Sequence, residues 1–128
     1  MVAHVDSAFL AEIKSQAQAE LSRFIELFGQ RVANPGYRFS VKAPLTEDGK
    51  TEHMWIRVST LEGSNISGRL ANAPAILKSV KLGDTVQCAQ EQIEDLVITD
   101  EQNKVVLGGF HAKYLERRRE DDRKARLK

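Results

Sequence analysis

The hydrophobic period of this chain changes at Pro35, from one that suits a helix to one that suits a strand. Before it, Leu10, Ile13, Ala17, Leu21, Phe24 and Phe28 recur at steps of three, four, four, three and four. That spacing puts them on one helical stripe. Asp6 or Ser7 can cap the first amides. Gly29 suits a C-terminal stop, and Asn34-Pro35-Gly36 closes the segment. A helix is therefore expected within 7–33, with an apolar stripe that needs a surface to cover.

After Pro35 the period is two. In Tyr37 to Ala43 the odd positions are apolar and Arg38, Ser40 and Lys42 point the other way. In His53 to Ser59 the even positions Met54, Ile56 and Val58 form the aliphatic face, opposite His53, Trp55, Arg57 and Ser59. Both segments read as half-buried strands. Asp48-Gly49 signals a turn inside Pro44 to Thr51, so the two form a hairpin with a longer loop. Glu62-Gly63-Ser64 turns into a third strand, Asn65 to Leu70. Asn72-Ala73-Pro74 opens a short helical turn through Ala75, Ile76 and Leu77. Thr85 to Ala89 follows the turn Leu82-Gly83-Asp84, and Leu96 to Thr99 pairs with Val105 to Leu107 as a last hairpin. Gly108-Gly109 interrupts the chain before Phe110.

The end of the chain is helical and charged. His111 to Lys128 holds eight Lys or Arg against four Asp or Glu, a local net of +4, which leaves −3 for the other 110 residues because the total is +1. Glu120 with Lys124, and Asp122 with Arg126, have the spacing and order that support an exposed helix.

These elements predict an α+β fold within one domain, 1–128: a helix over 7–33, a β-rich core over 36–110 and a charged helical tail over 111–128. The N-terminal helix packs on a strongly bent antiparallel sheet of five or six strands, with a partial barrel as the alternative. The expected core holds Phe9, Phe24, Phe28, Phe39, Met54, Ile56, Val58, Leu70, Val86 and Ile98.

The search for chemistry is mostly negative. The chain contains no phosphate-loop string and no dinucleotide fingerprint on a parallel unit. Its one cysteine, Cys88, alternates with Val86 on an inward face and reads as a small core residue. Of the three histidines, His4 lies near the start; only His53 and His111 can meet, and a metal would need Glu52 or Asp95 beside them. Glu94-Asp95 reads as a polar turn entering a strand. No metal and no cofactor are expected. Met1 to Ile13 carries His4, Asp6 and Glu12 instead of a basic start and a long apolar run, and no stretch reaches the ~18–20 apolar residues of a membrane span. A cytoplasmic protein without membrane contact is expected.

One constellation carries more. If Val41 lies opposite Ile56, then Phe39 pairs with Val58 and Ala43 with Met54, and one face is apolar throughout. The same register sets Lys42 opposite Trp55 and Ser40 opposite Arg57, and pairing Ile56 with Leu70 adds Arg69 beside Arg57. That outer face would carry Arg38, Lys42, His53, Trp55, Arg57 and Arg69, a basic surface around the single tryptophan. It suits an acidic protein partner, or phosphates and a stacked base. A one-residue slip would instead send Trp55 into the core.

Phe39-Ser40-Val41-Lys42-Ala43-Pro44, Glu52-His53-Met54-Trp55-Ile56 and Ser67-Gly68-Arg69-Leu70-Ala71-Asn72-Ala73-Pro74 follow in order. Leu82-Gly83-Asp84-Thr85-Val86, Ile93-Glu94-Asp95 and Gly108-Gly109-Phe110 come after them. Together they resemble the YegJ-like family of small bacterial proteins, a domain of unknown function that also occurs beside ankyrin repeats. The resemblance runs from about Ile13 to Leu115 and brings no catalytic residues with it. The family usually has Trp where this chain has Leu96, and Thr where it has His111. The charged end past Leu115 reads as an addition.

Three functions follow as expectations. The first is a non-catalytic binding module for another protein, through the Trp55 face or the charged helix. The second is nucleic-acid or anion binding through Arg38, Lys42, Trp55, Arg57 and Arg69. The third is an enzyme using His53 with Glu52 or Asp95.

Overall fold

The computed structural model describes residues 7–127. His4, Asp6 and the side chain of Ser7 lie outside what it describes, so the helix cap expected from Asp6 or Ser7 does too. The first element is helix α1, Ser7–Gly29, followed by turns through residue 33 instead of further helix. Strands β1 (Arg38–Glu47), β2 (Lys50–Glu62), β3 (Asn65–Leu70), β4 (Thr85–Ala89), β5 (Asp95–Thr99) and β6 (Val105–Gly108) precede helix α2, Phe110–Arg126. The six strands form one antiparallel sheet in the order β4-β3-β2-β1-β5-β6. β4 and β6 are its edges, so the sheet is open and the partial-barrel alternative does not hold.

The register read from the sequence is the one found. Val41 pairs with Ile56, Ala43 with Met54, Lys42 with Trp55 and Ser40 with Arg57. Ile56 pairs with Leu70 and Arg57 with Arg69. Alternation then sends Phe39, Val41, Ala43, Met54, Ile56, Val58, Leu96 and Ile98 to one buried face. α1 packs against that face with Ala17, Leu21, Phe24 and Phe28. Phe39 sits at the centre of the contact, edge-on to Phe24 at 5.5 Å and to Phe28 at 5.2 Å between ring centroids. Gln18 adds a polar tether: its amide donates to the carbonyls of Gln90 and Ile93, both at 2.9 Å. Two residues expected inside are not. Leu10 is 49 % exposed, and Phe9 is half-buried, its ring 4.4 Å from Tyr114 of α2. Both precede the part of α1 that lies over the sheet.

The β1–β2 hairpin is tighter than expected. Its strands continue to Glu47 and Lys50, joined by Asp48-Gly49 alone, both with positive φ (50° and 74°). A two-residue turn of this kind matches the twist of the strands it joins. On the other side of β2 the register shifts between Val58 and Thr60, where Gly68 faces Val58. A β-carbon on Gly68 would stand 2.0 Å from the carbonyl oxygen of Arg57, so only glycine allows this close approach.

The helical turn expected at 74–77 does not form. Residues 71–84 contain bends and turns and no helix, because carboxylates from β1 and β2 take the backbone amides. Ala75 and Ile76 donate to Glu52 at 2.7 Å and Leu77 at 3.1 Å. Ser79 donates to Glu47 through its hydroxyl at 2.5 Å and its amide at 3.1 Å. The amide of Ala75 is the chief cause that holds the Glu52 carboxyl below its ordinary 4.5, and the Ser79 hydroxyl does the same for Glu47.

Two predictions follow from this packing. Phe24→Ala should cost ~3–5 kcal/mol by chemical denaturation, as a large aromatic lost from a closed core, whereas Leu10→Ala should cost less than ~1 kcal/mol. Glu52→Gln should lower the melting temperature at neutral pH. A carboxyl held low in the folded state stabilises above its ordinary value and loses that contribution as pH falls through the lowered one. The melting temperatures of wild type and variant should therefore converge in acid.

Candidate functional site

The face of the sheet opposite α1 carries the residues expected there. Lys42 and Trp55 are half-buried neighbours across β1 and β2, while Arg57 and Arg69 are exposed and directly opposed across β2 and β3. Like charges at that separation cost stability. No carboxylate among the described residues forms an ion pair with Arg38, Lys42, Arg57 or Arg69. Arg69 donates to the carbonyl of Gly83 at 3.1 Å. Arg38 stands at the start of β1, 3.5 Å from the side-chain oxygen of Asn103 in the β5–β6 turn. His53 lies two residues before Trp55 on β2 and lines a small pocket with Lys42. Lys42, Trp55, Arg57 and Arg69 thus lie together, with Arg38 at one end of the row and His53 at the other, beside Lys42.

α2 gives the face a wall. No residue of α2 is fully buried, so its position depends on how its first turn is held. Gly108 and Gly109 both have positive φ (82° and 70°), which turns the chain sharply from β6 into the helix. A β-carbon on Gly108 would stand 2.1 Å from the Leu96 carbonyl oxygen. The same carbonyl accepts the Gly109 amide at 2.7 Å. Asp95 completes the joint. Its carboxylate, 2 % exposed, accepts the amides of Leu96 at 2.9 Å and of Phe110 and His111 at 3.1 Å each. A carboxylate at this place satisfies amides that the first helical turn leaves unpaired and favours the positive end of the helix dipole. The polar turn expected at Glu94-Asp95 is therefore corrected for Asp95, which begins β5 as a buried cap reaching across to α2.

Between α2 and the sheet runs a groove of about 590 Å³. Trp55, Val97 and Val105 form its floor, and Ala112 and Leu115 its wall. Lys42 and Lys113 stand at its edges. Val105 and Leu115, which line the same groove, are 49 % and 38 % exposed.

The pairing of His53 with Glu52 or Asp95 is not found. Glu52 is engaged by the 75–77 amides and Asp95 by those of α2, and the His53 Nδ1 lies 2.6 Å from Glu94 Oε1 instead. Among the described residues no group of three or more His, Cys, Asp or Glu could hold a metal ion. Cys88 is buried, and burial pushes its thiol above the ordinary value, which makes it a poor nucleophile.

An open antiparallel sheet with one covered face, a basic row on the other and a helix leading off its edge strand describes a small α+β scaffold. Residues 7–128 match the family described as "Uncharacterized protein conserved in bacteria (DUF2314)", and the chain belongs to it. It is similar to "Uncharacterized protein YegJ" of Escherichia coli (strain K12), with 30% identity over 105 residues, 82% of this chain. The chain spans 65% of that relative's length. No solved structure matches it. The match runs through the charged end, so the helix past Leu115 is part of the family's extent and not an addition. The two positions that depart from the resemblance, Leu96 and His111, both lie on the α2 joint: Leu96 is fully buried and His111 gives its backbone amide to Asp95. Among the described residues no helix is long and apolar enough to cross a membrane.

The joint makes a direct prediction. Asp95→Ala should cost about 2 kcal/mol, since it strands two part-buried amides at a helix start. Amide exchange should accelerate selectively along α2, with the β1–β2 pair unchanged.

Proposed function

We propose that this chain is a non-catalytic binding module that holds a segment of another protein in the groove between α2 and the outer sheet face. The groove itself supports the reading most directly: an apolar floor centred on the chain's single tryptophan, edged by Lys42 and Lys113, neither of which forms an ion pair among the described residues, with Glu116 and Asp95 also in the lining. An aromatic anchor in an apolar centre with charge at the rim is the make-up of a protein-binding site. The partner segment places an apolar side chain against Trp55, Val97 and Leu115, and acidic side chains against Lys42, Arg57 and Arg69. Nucleic acid fits less well, because single-stranded binding draws on several stacking platforms and this face offers one. A cytoplasmic setting belongs to the proposal, since the lone buried cysteine suits a reducing compartment.

Displayed peptide libraries should select sequences with an apolar centre and acidic flanks, and their binding should change Trp55 emission. Trp55→Ala and Leu115→Glu should each weaken the selected peptides about tenfold or more. Arg57→Glu should weaken them less and mainly at low salt. Oligonucleotide binding that falls steeply with salt, with no peptide selected, would replace this reading with a nucleic-acid one.

A further inference from the structure

A second, smaller pocket of about 140 Å³ opens beside the groove and shares Lys42, Asp95 and His111 with it. Leu10 and Ile13 of α1 supply its apolar side. His53 and Glu94 complete the lining. Five of its seven residues are ionisable, and the distribution of their partners is uneven. Asp95 is saturated by three backbone amides. Glu94 accepts from His53 Nδ1 at 2.6 Å, and the amide of Glu94 is fixed on the Lys42 carbonyl at 2.8 Å. Both acids of the pocket are thus engaged. The side chains left with no hydrogen-bond or ion-pair partner among the described residues are those of Lys42 and His111, and both can donate. His53 keeps its Nε2 free.

We infer that this corner pocket is a binding site for a carboxylate carried on a short apolar stem, with Lys42 and His111 donating to the carboxylate and Leu10 and Ile13 covering the stem. Lys42 and His111 are donors without a partner of their own, and such donors select a ligand that brings an acceptor. The size agrees. At ~30 Å³ for each water's share of liquid volume, the pocket holds the equivalent of four or five waters, which suits a carboxylate and two or three methylenes. Lys42 carries a full charge on a flexible stem and can follow the ligand. The charges that face it are those of Glu94 and Asp95 from the start of β5, with His53 from β2 and His111 from α2. α1 contributes only Leu10 and Ile13 to the lining, so the ligand's stem meets no charge on that side.

The same chemistry has two sources: a free short-chain carboxylic acid, or a carboxylate borne by a protein segment, such as a glutamate side chain. Lys42, Asp95 and His111 line both the pocket and the groove, so the test uses small probes and reads them at His53 and Ile13, which line the pocket alone. NMR titrations of the full chain would follow the ring of His53 and the methyls of Ile13, with butyrate, acetyl-glutamate amide and butylammonium as ligands. Saturable shifts at these residues with butyrate, and none with butylammonium, are expected. Binding of butyrate alone identifies a free acid as the ligand, and binding of acetyl-glutamate amide as well identifies a peptide-borne carboxylate. Lys42→Met should weaken butyrate about tenfold or more, and Lys42→Arg should restore part of the loss. Both variants keep the apolar stem of residue 42, and a matching thermal melt verifies their fold. Equal shifts with butylammonium, no saturable shift with either carboxylate, or Lys42→Met binding as wild type would each overturn the assignment. Peptide binding in the groove is scored separately by Trp55 emission, so either result can fail without the other.

Discussion

The contact between Phe39 and the paired rings of Phe24 and Phe28 fixes which face of the sheet is covered. One amphipathic helix supplies that cover, and the buried apolar residues of β1 to β5 turn toward it. Each of these large side chains contributes on the order of 1.5–3 kcal/mol by leaving water. The opposite face has no layer over it. Most of its residues are polar or basic because water is their neighbour, and Trp55, Val97 and Val105 are exceptions that the groove partly shelters. The asymmetry of cover is the reason the chain has a surface to present.

The second constraint is the buried carboxylate of Asp95. A charged group with 2 % exposure persists only with strong partners, and this one has three amides. Two of them belong to α2, which buries no residue of its own and owes its placement to this cap, the Gly108-Gly109 turn and the Phe9–Tyr114 contact. The wall of the groove and one side of the corner pocket both depend on that joint. Stability of the helix anchor and geometry of the candidate sites are therefore the same physical quantity.

Much of the sheet was legible because its signals are local or pairwise. Alternation over Phe39 to Ala43 and Met54 to Val58, with the demand that one face be apolar, leaves only registers of one parity, and the one that sets Val41 opposite Ile56 brings Lys42 beside Trp55 and Arg57 beside Arg69. The helical turn expected at Ala75 to Leu77 failed for the opposite reason. Its amides are taken by Glu52, more than twenty residues earlier in the chain, and no local propensity reports such a competitor. Asp95 was misjudged on the same ground. An Asp next to a Glu before a strand reads as solvated until a helix start fifteen residues on is folded against it.

The sequence by itself determined the two periods, a turn at Asp48-Gly49, the break at Gly108-Gly109 and the basic row on one side of the sheet. These depend on neighbours a few residues apart or on a binary choice of face. Only the tertiary structure decided that the sheet stays open, that His53 meets Glu94 and not Glu52 or Asp95, and that α2 returns over Trp55 to form a groove. Those outcomes rest on side chains that meet across distant parts of the chain, where one carboxylate has several candidate donors and packing selects among them.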